Sequence, residues 1–174
     1  MTEVTWLNPR EQVAWRSLVI ASNRLRGVLD AELSVEHGLS FADYEVLVQL
    51  SEAPAMRLRM SELAERIHLS PSGLTRRLDR LVGDGSVRRE PCPSDRRSSF
   101  AVLNPHGMQR LIAAAPSHID GVRRHFLDRL TDEQQLALID ALAGIMQDDP
   151  NETSPNQPSM TQASMSQAAS STSR

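Results

Sequence analysis

Apolar residues along this chain recur first at helical spacing, then at the spacing of two short strands, then at helical spacing again. From Pro9 to about Glu36, Val13, Leu18, Leu25, Val28, Leu29 and Leu33 keep the period of one long helix, and a helix of that length needs a partner surface to be stable. Ser40 with Asp43 opens a second helix, Phe41 to Leu50, whose Tyr44, Val46, Leu47 and Leu50 point to core packing. Leu63, Ala64 and Ile67 give a third helix a short buried face, and His68 to Ser70 supply a tight turn into a fourth. There Ser70 caps the start, and Pro71 suits the first helical position because its missing donor has no partner to lose. Leu74, Leu78, Leu81 and Val82 form the apolar stripe of this helix, and Gly83 and Gly85 end it.

Downstream, Ser86 to Glu90 and Ser99 to Leu103 read as two strands, joined by a turn-rich tip of Pro91, Pro93 and Ser94 that bears Asp95, Arg96 and Arg97. Asn104 and Pro105 start a further helix through Leu111, Ile112 and Val122, with an interruption or kink predicted at Pro116, which lacks a ladder donor. Thr131 and Gln134 form a capping-box pattern for a last helix lined by Leu136, Ile139, Leu142 and Met146. The predicted fold is mainly α with a small antiparallel β-hairpin wing: a winged helix-turn-helix flanked by N- and C-terminal helices. Residues 1–149 form one predicted domain, with a nucleic-acid-binding part over about 40–104 and dimerisation helices over about 9–36 and 105–147. Residues 150–174, rich in Ser, Thr, Asn, Gln and Pro and without Leu, Ile, Val or Phe, are predicted to be disordered.

The face of the fourth helix opposite its stripe carries Ser72, Gly73, Arg76, Asp79 and Arg80, with Thr75 and Arg77 at the margins. A small polar leading edge can approach base edges while arginines reach phosphates or guanine. The whole chain has a net charge of −3, yet from Arg66 to Arg97 eight arginines stand against four acids, a local +4 that leaves −7 elsewhere. That asymmetry fits a basic reading surface on an acidic body, and so double-stranded DNA as partner. All 19 basic residues are arginine, which carries no functional weight.

These features resemble the MarR family of winged helix-turn-helix regulators. The resemblance covers about residues 9 to 147 and rests on Leu39-Ser40 through Leu50, Ser61-Glu62-Leu63-Ala64, Thr75-Arg76 with Asp79-Arg80-Leu81, Arg88-Arg89, Asp95-Arg96-Arg97, and Leu103 with Gly107. It implies that Thr75 and Arg76 enter the major groove, that Arg97 enters the flanking minor groove, and that Asp95 braces the wing by pairing with an arginine. Arg80, Arg88 and Arg89 are then phosphate partners, and Asp79 orients a neighbouring arginine or stands as a plain surface charge. Two positions depart from the family pattern. Asn104 replaces the commoner Thr, although Asn also caps well. Arg77 stands where an apolar residue is commoner, and is expected either to add a phosphate contact or to face solvent. The resemblance also implies a homodimer reading a near-palindrome, with the apolar ends of two subunits paired.

In that family small anionic or aromatic molecules bind between the dimer helices and the DNA-binding unit. Trp6, Trp15, His37, Tyr44 and Met56 are the candidate lining of such a cleft here, each with core or interface packing as the plainer alternative. The single cysteine, Cys92, permits no internal disulfide; arginines nearby would favour its thiolate, so a redox switch at the base of the wing competes with an inert turn cysteine. His37, His68, His106, His118 and His125 form no His-x-x-x-His pair, so no metal site and no cofactor is expected. Glycine-rich phosphate loops, Gly-x-Ser-x-Gly and His-Glu-x-x-His are absent, which argues against an enzyme. With no signal peptide pattern and no run of about 18 apolar residues, the expected location is the cytoplasm, away from membranes. The expectation is therefore a sequence-specific DNA-binding transcription regulator, a repressor released by a small ligand. A winged-helix protein-interaction module or antirepressor without DNA affinity is the alternative from another class.

Overall fold

The computed structural model describes residues 4–92 and 95–146, and for residues 95–97 and 146 the backbone alone. The chain begins with α1 (Pro9–His37), which Asn8 caps in a reciprocal box with Glu11 and which Gly38 closes in the left-handed conformation. α2 (Phe41–Glu52) starts at Ser40, whose Oγ accepts from the Asp43 N–H as predicted, and a 3-10 turn at Pro54–Met56 follows. β1 (Arg57–Arg59) then leads directly into α3 (Met60–Arg66). His68, with φ of 50°, bends the chain into α4 (Pro71–Gly83), where Ser70 Oγ accepts from the Gly73 N–H at 3.2 Å.

β2 (Val87–Cys92) and β3 (Asp95–Leu103) form an antiparallel hairpin longer than the two strands predicted, with an irregularity in register between Pro91 and Cys92. β1, which the hydrophobic pattern did not reveal, pairs with β3 through Leu58 and Ala101, giving a three-stranded sheet of order β1-β3-β2. α5 (Pro105–His125) runs on through Pro116, so the predicted interruption becomes one missing donor inside a continuous helix. A 3-10 turn (Leu127–Arg129) connects it to α6 (Asp132–Met146), whose Thr131 and Gln134 exchange the predicted capping bonds at 3.0 and 3.2 Å. The predicted tail, 150–174, lies outside the described residues.

The core gathers Leu33 and Leu39 from the end of α1, Val46, Leu47 and Leu50 from α2, Leu63 from α3, Leu74, Leu78 and Leu81 from α4, Ala101 and Leu103 from β3, and Leu111 from α5. Val82, expected in the apolar stripe of α4, is exposed, because the stripe closes on Leu81 and the next residue turns outward. The N-terminal half of α1 leaves this core altogether: Val13, Trp15, Leu18 and Ile20 are exposed, as are Leu136 and Ile139 on α6.

The junction between wing and α5 is tight. A Cβ on Gly107 would stand 2.2 Å from Ser86 O, so only glycine lets α5 start against the buried Ser86. Asn104 occupies the cap position without capping: its Oδ1 accepts from Arg88 Nη1 and its Nδ2 donates to Gly85 O. Its amide tethers the wing's first strand to the turn after α4, which corrects the expected capping role.

Candidate nucleic-acid interface

α4 is amphipathic in the way its sequence dictates. Leu74, Leu78 and Leu81 are buried, whereas Ser72, Thr75, Arg76, Asp79 and Arg80 are exposed and Gly73 is half-buried. Thr75 folds its hydroxyl back onto Pro71 O at 2.8 Å, which leaves its methyl and the lone pairs of its oxygen at the surface. Together with Leu69 and Ser70, Gly73, Arg76, Arg77 and Arg80 line a concavity of about 530 Å³ over the start of the helix. Three arginines and a helix N-terminus therefore border one hollow, and positive charge at that place favours an anion.

Arg77 does not simply face solvent, the second of its two expected roles. It is half-buried, and its Nη1 donates to Ser40 Oγ at 3.1 Å and to Asp43 Oδ1 at 3.2 Å, so the side chain is anchored on α2 instead of extended into solvent. Arg80 reaches the same Asp43 Oδ1 through Nη2 at 3.1 Å while remaining 62% exposed. Asp43 itself is buried. Sequence reasoning assigned Ser40 and Asp43 to helix capping alone; no local signal links them to arginines from a helix so far along the chain.

On the wing, Arg89 Nη2 bonds Asp79 Oδ1 at 2.9 Å and Thr75 O at 3.2 Å, fixing the first strand of the hairpin against α4. Asp79 thus holds a neighbouring arginine, the first of its two expected roles. Arg88 points the other way, to Glu90 at 2.7 Å and to Asn104, at the base of the hairpin. Asp95, Arg96 and Arg97 begin β3, and their side chains lie outside the described residues. Arg57 and Arg59 of β1 flank Phe100, with guanidinium carbons 4.0 and 5.4 Å from the ring centre, so the sheet edge adds positive charge that the sequence reading missed.

A second concavity, about 620 Å³, lies between α2, the turn after α3, and α5, with Arg26 of α1 at its edge. Of the five residues proposed to line an effector cleft, it includes Tyr44 only. Trp6, Trp15 and Met56 are exposed elsewhere, and His37 bonds Ser117 at 2.9 Å where α1 ends against α5. The cleft wall that the sequence reading overlooked is His118, whose ring lies 4.5 Å from that of Tyr44 and 5.9 Å from that of Phe41. Its Nδ1 is buried without a partner, and burial lowers its pKa below the ordinary imidazole value. Burial also raises Tyr44 to about 12, with the carboxylate of Glu52 adding to the effect, and raises Glu45, although Arg26 at 2.9 Å opposes that shift.

Cys92 ends β2 instead of lying in a turn, and it is buried, which favours the inert alternative because a reactive thiolate requires solvent access. Among the described residues, no three of His, Cys, Asp and Glu gather as a metal site, and no helix is long and apolar enough to cross a membrane.

Residues 39–99 match the model of the MarR family. Over the whole fold the chain is similar to Sco3205, a MarR family transcriptional regulator from Streptomyces coelicolor solved in complex with DNA: 39% identity, TM-score 0.79, covering 88% of this chain and 97% of that one. It is 32% identical over 113 residues to the HTH-type regulator YkoM of Bacillus subtilis, spanning 64% of this chain and 72% of the relative. It is also 28% identical to the HTH-type transcriptional repressor YetL of the same organism, over 63% of this chain and 65% of YetL, just under two thirds of that protein's length.

Proposed function

The chain belongs to the MarR family of winged-helix transcriptional regulators, and on that premise we propose that it represses transcription in the cytoplasm as a homodimer bound to a near-palindromic operator. The observation that carries this reading is the outward face of α4: Ser72, Thr75 and Arg76 are exposed beside a hollow lined by Arg76, Arg77 and Arg80, with the hairpin tied alongside through Arg89. A helix with this small polar edge fits the major groove, with Thr75 and Arg76 toward base edges and Arg80 toward phosphate. Arg97, at the start of β3, would enter the neighbouring minor groove on this reading, and Asp95 would brace the wing by pairing with an arginine. Arg88 and Arg89 support that wing; phosphate contact by Arg88 requires it to leave Glu90. That the similar Sco3205 was solved in complex with DNA supports DNA as the partner.

The exposed apolar residues of α1 and α6 support dimerisation, which would place two α4 helices about 34 Å apart, one turn of the duplex. The cleft holding Tyr44 and His118 supports an effector site between the reading unit and the long helices; its aromatic wall suits a small aromatic molecule, charged or not. An effector that prefers a different spacing of the two α4 helices would release the operator.

Selection of genomic fragments by the purified full-length protein tests the reading, followed by gel-shift titration on the selected duplex. Arg76→Ala is expected to weaken binding by about 10- to 100-fold and to relax base preference at one position per half-site. Arg97→Ala is expected to weaken all duplexes with little loss of folding. Affinity should also fall steeply as salt rises, because arginine–phosphate contacts release counterions. Failure to enrich any duplex would remove DNA binding as the function, and titrations identical for both variants and wild type would remove the assignment of Arg76 and Arg97 to the interface.

A further inference from the structure

We propose that Asp43 is a positioning residue for DNA recognition: buried beneath α4, it sets the posture of Arg77 and Arg80 before DNA arrives. The inference rests on the reading of α4 as the DNA-contacting helix. A single oxygen, Oδ1, accepts from Arg77 at 3.2 Å and from Arg80 at 3.1 Å, and Ser40 Oγ takes a further bond from Arg77 at 3.1 Å. The carboxylate side chain is 9% exposed and the Arg77 side chain 23%, so this pair forms a floor, whereas Arg80 at 62% rises from it toward solvent.

The charge arrangement explains why an acid belongs in a surface meant for phosphate. The hollow above is lined by Arg76, Arg77 and Arg80 and by no acidic residue, so three like charges would otherwise repel and splay. Asp43 offsets one of them from below, on the side away from a docking duplex. It engages Arg80 through Nη2 only, which leaves Nη1 and Nε of that guanidinium for an incoming phosphate. Arg77 Nε is buried with no partner, so this side chain tolerates an unpaired donor to keep its place against α2. A long arginine fixed in advance loses less freedom on binding, and an arginine fixed in one direction discriminates one phosphate register from its neighbours. Because the carboxylate sits on α2 and the arginines on α4, the same contact also ties the two helices together.

This arrangement separates specificity from bulk attraction. Asp43→Asn keeps size and one acceptor oxygen but removes the negative charge, making the face one unit more positive. Random duplex should therefore be bound as tightly as by wild type or more tightly at low salt, whereas the ratio of selected-duplex to random-duplex affinity should fall about tenfold. Asp43→Glu should recover part of that ratio. A fall in both affinities together, in parallel with a lower melting midpoint, would mean that Asp43 only holds the fold, and an unchanged ratio would mean that it positions nothing; either result overturns the proposal. A measurement on the unaltered dimer stands independently of any variant's folding: guanidinium NMR of the DNA-free protein should show Arg77 and Arg80 with hindered rotation and Arg76 free. Arg80 rotating as freely as Arg76 would overturn it as well. If wild type selects no duplex at all, the DNA reading itself has failed and this inference falls with it; if wild type selects and Asp43→Asn discriminates equally well, only the inference fails.

Discussion

His118 shows how one residue type changes meaning with its surroundings. Its ring is packed on Tyr44 and Phe41 with Nδ1 buried and unpaired, so protonation places a charge where nothing described accepts it. The folded-state pKa is lowered by that burial, and the unfolded chain therefore binds the proton more readily than the folded one. Stability is retained above the unfolded value of about 6.5 and lost as pH falls from there through the lower folded value. We expect the melting midpoint of wild type to drop relative to His118→Phe between about pH 7 and pH 5, measured by thermal denaturation at matched salt. Parallel midpoints for the two proteins across that range would show that His118 titrates normally. The sequence offered five histidines with nothing to separate them, because what distinguishes His118 is the pair of rings from α2 that tertiary packing brings to it. The same limit applies to Asp43, read as a helix-start residue because its capping signal is local while its arginine partners are not.

Elements were legible where the signal was local. Caps at Ser40, Ser70 and Thr131, the apolar stripe of α4 and the hairpin after it all follow from residues within a few positions of one another. β1 was not: Arg-Leu-Arg contains one apolar residue, and it becomes a strand only because β3 has a free edge opposite Leu58. At Pro116 the interruption that its missing donor allowed does not occur, since α5 packs against α1 and α2 and runs on as one helix. The junction of wing and α5 yields a sharper prediction. Gly107→Ala would bring a methyl to 2.2 Å from Ser86 O and 2.8 Å from Leu103 Cδ1, and the first of these neighbours is backbone that cannot step aside. The expected loss is about 3 kcal/mol, the upper part of the range for overpacking, and a melting midpoint roughly 10 °C lower. A midpoint within about 2 °C of wild type would show that α5 can lift from the wing freely.

At the scale of the whole molecule, the reading unit is well buried around Leu47, Leu63, Leu78 and Leu111, while the two chain ends present Trp15, Ile20, Leu136 and Ile139 to solvent at 61%, 64%, 67% and 55% exposure. Apolar residues exposed on two helices from opposite ends of the chain are costly to leave in water, and a second copy of the same helices is the covering proposed here. The helical period of α1 was readable in the sequence; the side it buries was not, since Val13 and Leu33 share that period yet face different neighbours. Trp15→Glu places a charge in the exposed stripe without touching the core. It is expected to shift the protein from dimer to monomer in sedimentation and to weaken binding to a two-half-site duplex by at least about 100-fold, because each α4 then binds without the effective concentration its partner supplies. Affinity for a single half-site should change little, since α4 and the wing are untouched. A Trp15→Glu protein that stays dimeric would place the interface elsewhere, and one that becomes monomeric yet holds the full operator as tightly as wild type would show that each α4 reads DNA alone.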